Sequence, residues 1–275
     1  MLKTLIFALA SITFLNSLIA QNASSFSNKV FLDTIKPANG KSPDFMNRIS
    51  VGVDVGYDQN YLLTNISNLS FTTIKPLNGY SIGIPFLYKL NSWMSLSTNP
   101  SITQKNYKIE RTGFYQGIHE NFTNSYIQLP IYGHFIFGDK KMKGFLNLGG
   151  YGAYWAWAKI AGTESNILNP SSAVYSNSNP LSLLAENEPF NYSQRYQFNK
   201  IRDNRLEFGW LLGIGLSYEF TKRYVIFMEG RFTQSITDQQ KKYIINQVPR
   251  YNQTYNLSIG CLINLGSFKK QHNLN

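Results

Sequence analysis

Alternation of apolar and polar residues is the strongest pattern along this chain, and it is clearest in residues 205–220, RLEFGWLLGIGLSYEF. Every second residue from Phe208 to Phe220 is apolar or aromatic, whereas most residues between them are glycine, serine or glutamate. Successive side chains of a β-strand point to opposite faces, so a period of two predicts a strand. A long apolar face that carries aromatics at both ends, opposite a small and polar face, is typical of a membrane-spanning β-strand.

The same alternation recurs in seven further segments, which gives eight predicted strands in all. These segments are residues 49–57, 79–90, 93–105, 122–137, 143–160, 224–236 and 251–265. In 143–160, Leu148 and Tyr154 indicate one lipid-facing side while Trp155 and Trp157 indicate the other, so the facing of this strand stays open.

The lengths of the connections indicate how these strands are arranged. Connections after the second, fourth and sixth strands are short, near residues 91–92, 138–142 and 221–223. Those after the first, third, fifth and seventh are long, at residues 58–78, 106–121, 161–204 and 237–250. Short turns that alternate with long loops are typical of outer-membrane barrels. A soluble lipocalin-like barrel would enclose its apolar face, whereas here the glycines and charges lie on the face that must be enclosed.

The sequence therefore predicts an all-β fold, an eight-stranded antiparallel up-and-down transmembrane β-barrel over residues 49–268. A basic start and an apolar core at residues 5–15 predict a signal peptide over residues 1–20, so the chain is expected to be exported. Residues 21–48 are interpreted as a flexible periplasmic lead and residues 269–275 as a polar tail. Charged residues make up 15% of the chain, against about 25% in soluble domains, which fits a membrane barrel.

Six charged side chains fall on the predicted inner face. They are Asp54, Lys89, Glu207, Glu219, Glu229 and Arg231. An eight-stranded barrel has room inside for side chains and little else, so we interpret this polar cluster as an ion-paired plug; the alternative is a path for protons or ions. A three-residue turn at 221–223 would place Gly215 opposite Glu229 and Gly213 opposite Arg231, so that large inner side chains meet glycines.

No pattern in the sequence predicts a catalytic, cofactor or metal site. The histidines, His119, His134 and His272, have no fixed serine and acid nearby, and Cys261 is the only cysteine. The formal net charge of +11 comes from scattered lysines and arginines, which argues against nucleic acid and favours outer-membrane lipid and lipopolysaccharide as partners. The loop at 161–204 is too long for a plain connector, and either binds a partner or is disordered.

Several strand patterns, in this order and spacing, resemble one known family. They are YIQLPIYGHFIFG at 126–138, GFLNLGGYGAYWAWAK at 144–159, LEFGWLLGIGLSYEF at 206–220, Glu229-Gly230-Arg231, and YNLSIGCLINL at 255–265. The chain resembles the PorT-like outer-membrane β-barrel family, often labelled "porin family", over residues 49–265. The resemblance implies an eight-stranded barrel in a Gram-negative outer membrane and brings no catalytic residue. The loop at 161–204 and the polar end after Phe268 depart from the family pattern.

We therefore expect a barrel without enzymatic activity and without a cofactor, acting as a membrane-anchored scaffold or accessory factor. The resemblance suggests a link to type IX protein secretion or gliding, with secretion-machinery proteins as partners. Two other functions stay open at this point. One is a barrel enzyme that acts on lipid or peptide, and the other is a narrow porin-like channel.

Overall fold

A computed structural model describes residues 48–64, 71–113, 116–138, 141–164, 190–245 and 247–265. The expected signal peptide, most of the expected lead and the polar tail lie outside the described residues, as does much of the loop at 161–204. No helix in the described ranges is long and apolar enough to cross a membrane.

Twelve strands form one sheet. In chain order they are β1 (Ile49–Leu63), β2 (Thr72–Gly83), β3 (Phe86–Lys89), β4 (Met94–Thr98), β5 (Ser101–Gln104), β6 (Tyr107–Arg111), β7 (His119–Phe137), β8 (Met142–Glu164), β9 (Phe190–Arg195), β10 (Leu206–Glu219), β11 (Tyr224–Ser235) and β12 (Tyr251–Asn264).

The twelve strands line up as eight barrel strands, each called a stave below, which form a closed antiparallel ring. β2 and β3 form the second stave, and β4, β5 and β6 form the third. β9 and β10 both pair with β8, one beyond the other, and β12 closes the ring on β1. The breaks between β2 and β3 and between β4 and β5 contain Pro85 and Pro100. Proline has no N–H to donate to the sheet, so the strand is interrupted while the stave continues.

The outside of the ring is apolar and the inside is polar. Every second residue of the central strands is an exposed large apolar side chain, as in Val53, Ile131 and Ile214. The residues between them are buried and mostly polar, as in Asp54 and Asn147. Apart from one interruption in β8, facing around the ring follows the alternation in the sequence, and the predicted fold class is confirmed.

A β-bulge in β8 settles the facing that the sequence left open. Ser125 of β7 pairs with Trp157 and the next residue, Tyr126, pairs with Trp155, so Ala156 is the extra residue. Before the bulge Trp155 points inward and is buried; after it Trp157 points outward and is 43% exposed. One inserted residue exchanges the two faces, because the side-chain period is two.

The strands extend further at the long-loop end than the sequence predicted. The expected loop at 58–78 begins and ends as strand, since β1 continues to Leu63 and β2 starts at Thr72. The expected loop at 106–121 contains β6 and the first residues of β7, and β9 lies within 161–204. These parts of the connections were wrongly predicted to be irregular. The described loops are correspondingly shorter and the barrel rises beyond its apolar band.

The predicted register of β10 and β11 is confirmed, but the use of its glycines differs from the prediction. Gly213 pairs with Arg231 and Gly215 pairs with Glu229. A β-carbon at Gly213 would overlap the Glu229 carboxylate, however, and one at Gly215 would overlap the ring of Phe145. The Glu229 side chain thus leans along the tilted strand to its diagonal neighbour Gly213. Gly215 is instead covered by Phe145, its direct partner on β8.

Candidate functional site

The polar lumen is the candidate functional site, and its upper layer is an ion pair that crosses it. Lys105, in the link between β5 and β6, places Nζ 2.5 Å from Oε1 of Glu207 on β10. These residues belong to the third and sixth of the eight staves, which lie on nearly opposite sides of the ring. Both side chains are buried, that of Lys105 to 1% exposure. A charge this deeply buried requires a partner, and each residue supplies the other's.

Further side chains complete this upper layer. Tyr151 donates to Oε1 of Glu207 at 2.8 Å, and Asn252 Nδ2 donates to Oε2 at 2.7 Å. Asn60 Nδ2 in turn donates to Asn252 Oδ1 at 3.1 Å. The Lys105 ammonium lies 5.0 and 4.7 Å from the ring centroids of Tyr126 and Tyr151. Side chains from β1, β7, β8, β10, β12 and the β5–β6 link therefore meet at one level.

A second layer lies nearer the short-turn end and is built on β11. Arg231 donates to both carboxylate oxygens of Glu229, at 2.9 and 2.8 Å. Asn147 Nδ2 donates to Oε1 of Glu229 at 2.9 Å, and its own Oδ1 lies 2.7 Å from Nδ1 of His134. The Arg231 guanidinium also lies 5.4 Å from the ring centroid of Tyr132. Three staves supply this layer, and both charges of the ion pair are satisfied.

Between the two layers lie two buried aspartates. Asp58 accepts from Asn256 at 2.6 Å and from Thr103 at 2.8 Å. Asp54 accepts from Asn99 Nδ2 at 3.0 Å through one oxygen. Its other oxygen has no hydrogen-bond partner among the described residues. A cavity of about 30 Å³ adjoins both carboxylates, so this level holds the small amount of free space in the middle of the lumen.

The short-turn end opens into a cavity of about 90 Å³. Lys89, Lys143 and Glu219 line its rim, and Lys143 Nζ lies 3.5 Å from a Glu219 oxygen. Above the rim, Leu87, Phe145, Phe227 and Leu262 form a buried apolar cluster, with the Glu229–Arg231 layer behind it. This vestibule is therefore a blind opening beneath the polar layers.

The six charged residues predicted for the lumen do not form one cluster. Glu229 and Arg231 are in direct contact, and Asp54 lies beside the cavity that Arg231 also lines. Glu207 belongs to the separate upper layer. Lys89 and Glu219 lie at the rim of the vestibule. The polar residues thus form levels along the axis of the barrel.

Sequence reasoning missed the two charged residues Lys105 and Asp58. Asp58 was assigned to a loop, and Lys105 was assigned to the end of the strand at 93–105 but was not counted among its inward residues. The signal was present, because Ser95, Ser97 and Thr103 are odd-numbered inward residues and Lys105 continues their phase. Likewise Asp58 continues the even-numbered phase of Ser50 and Asp54. Following the first phase to the end of the predicted strand at 93–105, and the second phase one residue beyond the predicted strand at 49–57, would have identified both.

The remaining chemical candidates have simple surroundings. His119 is partly exposed, with Nδ1 3.3 Å from the Gly117 carbonyl oxygen. His134 is held by Asn147 and lies 4.8 Å from the ring centroid of Phe145. Cys261 is a free thiol with intermediate burial. Within the described ranges, no group of three or more histidine, cysteine, aspartate or glutamate side chains is arranged to hold a metal ion.

An aromatic group covers the upper layer at the long-loop end. The Trp155 ring stacks between Tyr126 and Tyr196, at centroid distances of 5.9 and 5.5 Å, and Phe198 contacts it edge-on at 4.9 Å. The Tyr196 hydroxyl donates to Asp203 at 2.9 Å. Burial and this carboxylate raise the pKa of Tyr196 above its usual value. The residues after β9 therefore close the barrel from above.

Comparison with known proteins agrees with this architecture. The family model described as "Outer membrane protein beta-barrel domain" matches residues 20–240, more than half of the chain. No curated protein sequence matches.

Several solved outer-membrane protein structures match the chain at low sequence identity. Neisserial surface protein A is 12% identical, with 78% of this chain and 96% of that chain covered and a TM-score of 0.38. Ail of Yersinia pestis is 13% identical, with 78% and 97% covered and a TM-score of 0.35. OprG of Pseudomonas aeruginosa is 8% identical, with 80% and 98% covered and a TM-score of 0.41.

The match to the family model agrees with the closed ring, the apolar exterior and the alternation of short turns and longer loops. The protein is located in the outer membrane, because a barrel with a polar interior and an exposed apolar band needs lipid around that band. The chain therefore belongs to the outer membrane protein β-barrel domain family.

Proposed function

We propose that this protein is an outer-membrane barrel without enzymatic activity, which acts as an anchored scaffold or accessory factor at the cell surface. The observation that carries the proposal is the Lys105–Glu207 layer across the lumen. A barrel that fills its interior with paired charges offers its outer surface and its loops for function. The interior then serves to keep that scaffold rigid.

The filled lumen argues against a diffusion channel. A solute would have to pass the Lys105–Glu207 pair, the rings of Tyr126 and Tyr151, and then the Glu229–Arg231 pair. The cavity of about 90 Å³ lies at the short-turn end of the barrel. The cavity of about 30 Å³ lies between the two layers. An eight-stranded barrel has an interior just wide enough for side chains, and these side chains occupy it.

The surroundings of the charged groups also support a non-enzymatic role. The carboxylates of Glu207 and Glu229 each accept several hydrogen bonds and are buried. A general base or nucleophile must reach substrate, and these groups are occupied by neighbours. The ring of His134 is held in the lumen by Asn147.

We further propose that the chain is PorT-like and assists type IX protein secretion or gliding. The order of the strand patterns from residue 126 to residue 265 supports this assignment. So does the extension of β7, β8 and β9 beyond the apolar band, since rigid surfaces at the ends of a barrel are suited to holding a protein partner. The expected partners are proteins of the secretion machinery.

Conductance across a planar bilayer tests the closed lumen. The purified wild-type barrel is expected to give no discrete open levels. The variant K105A/E207A/E229A/R231A removes the ion pairs of both layers, and we expect it to give small open levels. A matched control, Lys143→Ala, alters only the rim of the vestibule and should leave the bilayer silent. Discrete openings of the wild-type protein would contradict the proposal.

Deletion of the gene tests the accessory role. Loss of secreted proteins from the medium, restored by the wild-type gene, is the expected result. Normal secretion and normal gliding after deletion would refute the link to export. An enzyme acting on lipid would instead change lipid A acylation on overexpression, which mass spectrometry of extracted lipid would detect.

A further inference from the structure

The outer surface beyond the apolar band carries two cations that repel each other. Lys159 of β8 pairs directly with Arg195 of β9, and both side chains are exposed. Directly paired residues of antiparallel strands place their side chains on one face, with Cβ atoms about 4.5–5.5 Å apart. Like charges in this position are unfavourable. The pair therefore lowers the stability of this part of the sheet unless an anion lies between the two charges.

The bulge at Ala156 determines that this pair faces outward. Trp157 and Lys159 share a face after the bulge, and Trp157 is an exposed aromatic, whereas Ala158 between them is buried. Without the extra residue, Lys159 would point into the barrel. The same outward face carries Thr123 of β7, which pairs with Lys159. It also carries Ser193 of β9, two residues from Arg195.

A second pair of directly opposed cations is neutralised by a carboxylate of the chain itself. Lys75 of β2 pairs directly with Lys108 of β6. Glu110 lies on the same face and forms ion pairs with both lysines. Around Lys159 and Arg195, by contrast, no carboxylate of the described residues lies within ion-pair distance. One opposed pair thus has its own anion and the other has none among these residues.

The height of the unpaired cations on the barrel indicates where the missing anion comes from. Tyr154 and Trp157 are exposed aromatics on β8, next to the exposed apolar residues Ile127 and Leu129 of β7. Aromatic residues mark the level at which the hydrocarbon of the membrane meets the head groups. Lys159 follows Trp157 by two residues towards the outside. It therefore lies at the level of the head groups of the outer leaflet.

We propose that Lys159 and Arg195 together bind a phosphate group of a glycolipid in the outer leaflet, of the lipid A type. An arginine fork and a lysine ammonium on one face can both donate to a single phosphate, and each such charge-assisted bond is stronger than a neutral one. The neighbouring Thr123 and Ser193 hydroxyls can bond to the sugar that carries the phosphate. This inference rests on the location in the outer membrane and is independent of a role in secretion.

Thermal unfolding in nanodiscs tests the proposal, because the difference in unfolding temperature between wild-type protein and variant should change sign when lipid A is added. Wild-type protein and the double variant K159Q/R195Q are compared in phosphatidylcholine alone and in phosphatidylcholine with phosphorylated lipid A. In phosphatidylcholine alone, the variant should unfold at the same or a higher temperature, because a repulsion has been removed. With lipid A, the wild-type protein should be the more stable one. Native mass spectrometry should show at least about tenfold weaker lipid A retention by the variant, which is the size of one lost charge-assisted contact.

The control variant K75Q/K108Q removes the opposed pair that already has Glu110 as its anion. It should retain lipid A as the wild-type protein does. Lipid A from which the phosphates have been removed should bind wild-type protein and K159Q/R195Q equally. Equal retention of phosphorylated lipid A by both proteins would overturn the proposal. So would an equal loss in the control, or a preference of the pair for soluble polyphosphate over the lipid.

Discussion

Lys105 and Glu207 face each other across the lumen, with Nζ of one 2.5 Å from Oε1 of the other and both side chains buried. They come from staves on nearly opposite sides of the ring, so this pair ties together parts of the barrel that share no backbone hydrogen bond. Tyr151 and Asn252 satisfy the carboxylate further. The layer therefore contributes to the shape of the barrel as well as to its closure.

Replacing Glu207 by glutamine should destabilise the protein strongly. The change keeps the size of the side chain but leaves the Lys105 ammonium buried without a counter-charge. Loss of one partner of a buried ion pair costs about 3–5 kcal/mol of unfolding free energy. Urea unfolding in lipid vesicles, followed by tryptophan fluorescence, would measure this loss.

Two further variants make that result specific to the buried pair. Glu219→Gln removes a carboxylate whose pair with Lys143 is about one-third exposed, at 33% and 32%. Exposed pairs contribute about 0–1 kcal/mol, so this control should unfold nearly as the wild-type protein does. The double variant K105M/E207Q removes both charges and should regain most of the stability. Similar losses in Glu207→Gln and Glu219→Gln would contradict the assigned layer.

Gly213→Ala should also destabilise the barrel, because a β-carbon there would overlap Oε1 of Glu229 and approach Asn147. Overpacking of this kind costs about 1–3 kcal/mol, and here it would also disturb the bonds between Glu229 and Arg231. The measurement is again the free energy of unfolding. Gly230→Ala is the matched control: that position has only one atom within 4 Å of the added carbon, the Ile214 carbonyl oxygen at 3.9 Å. An equal effect at the two glycines would refute this account.

Gly213 shows what the sequence could predict and what it could not. Alternation determines which residues point inward, and the short turn at 221–223 determines that Gly213 pairs with Arg231. Neither determines how far a long side chain leans along the barrel axis. That depends on the tilt of the strands, which is a property of the closed ring. The structure therefore places the Glu229 carboxylate beside Gly213, while the sequence predicts only the pairing of the backbones.

The limits of the strands were harder to predict than their faces. Polar inward residues continue past the membrane span with the same period, and a polar residue at a strand end resembles a loop residue in sequence. For this reason Asp58 was placed in a loop and Lys105 was not recognised as an inward charge. The bulge at Ala156 leaves no distinct mark in a run of tyrosine, tryptophan and alanine. Its position is set by pairing with β7, a contact distant in sequence.

Cysteine labelling would test the exchange of faces at that bulge. In a Cys261→Ser background, Trp157→Cys should react with a water-soluble or lipid-soluble thiol reagent in the folded protein, because position 157 faces outward. Ala158→Cys should be protected, since residue 158 is buried against the lumen. Uninterrupted alternation from Leu148 and Tyr154 predicts the opposite pattern. Rapid labelling at 158 together with protection at 157 would therefore contradict the bulge at Ala156.

Glu110 should make the outer ends of β2 and β6 sensitive to acid. Hydrogen bonds from Lys108 and Lys75 hold the pKa of its carboxyl at about 2, below its ordinary value of 4.5. A carboxyl with a lowered pKa stabilises the folded state above its ordinary pKa, and that stabilisation is lost as the pH falls through the folded value. Pairing of β2 with β6 should thus weaken progressively between pH 4.5 and pH 2. The carboxyl carbon shift of Glu110 and amide exchange at Thr73 and Lys108, whose N–H groups point across the β2–β6 pair, would follow both steps.

Glu110→Gln provides the control for this pH dependence. Without the carboxylate, Lys75 and Lys108 repel each other at every pH in this range, so amide exchange at the strand ends should be faster and should no longer change specifically between pH 4.5 and pH 2. The wild-type protein should approach the exchange rates of the variant at the acidic limit, since a protonated Glu110 no longer offsets the two ammonium groups. A carboxyl titration centred near 4.5 in the folded protein would show that the two lysines do not form ion pairs with Glu110. Lys75 and Lys108 would then no longer differ from Lys159 and Arg195 in having an anion of the chain between them.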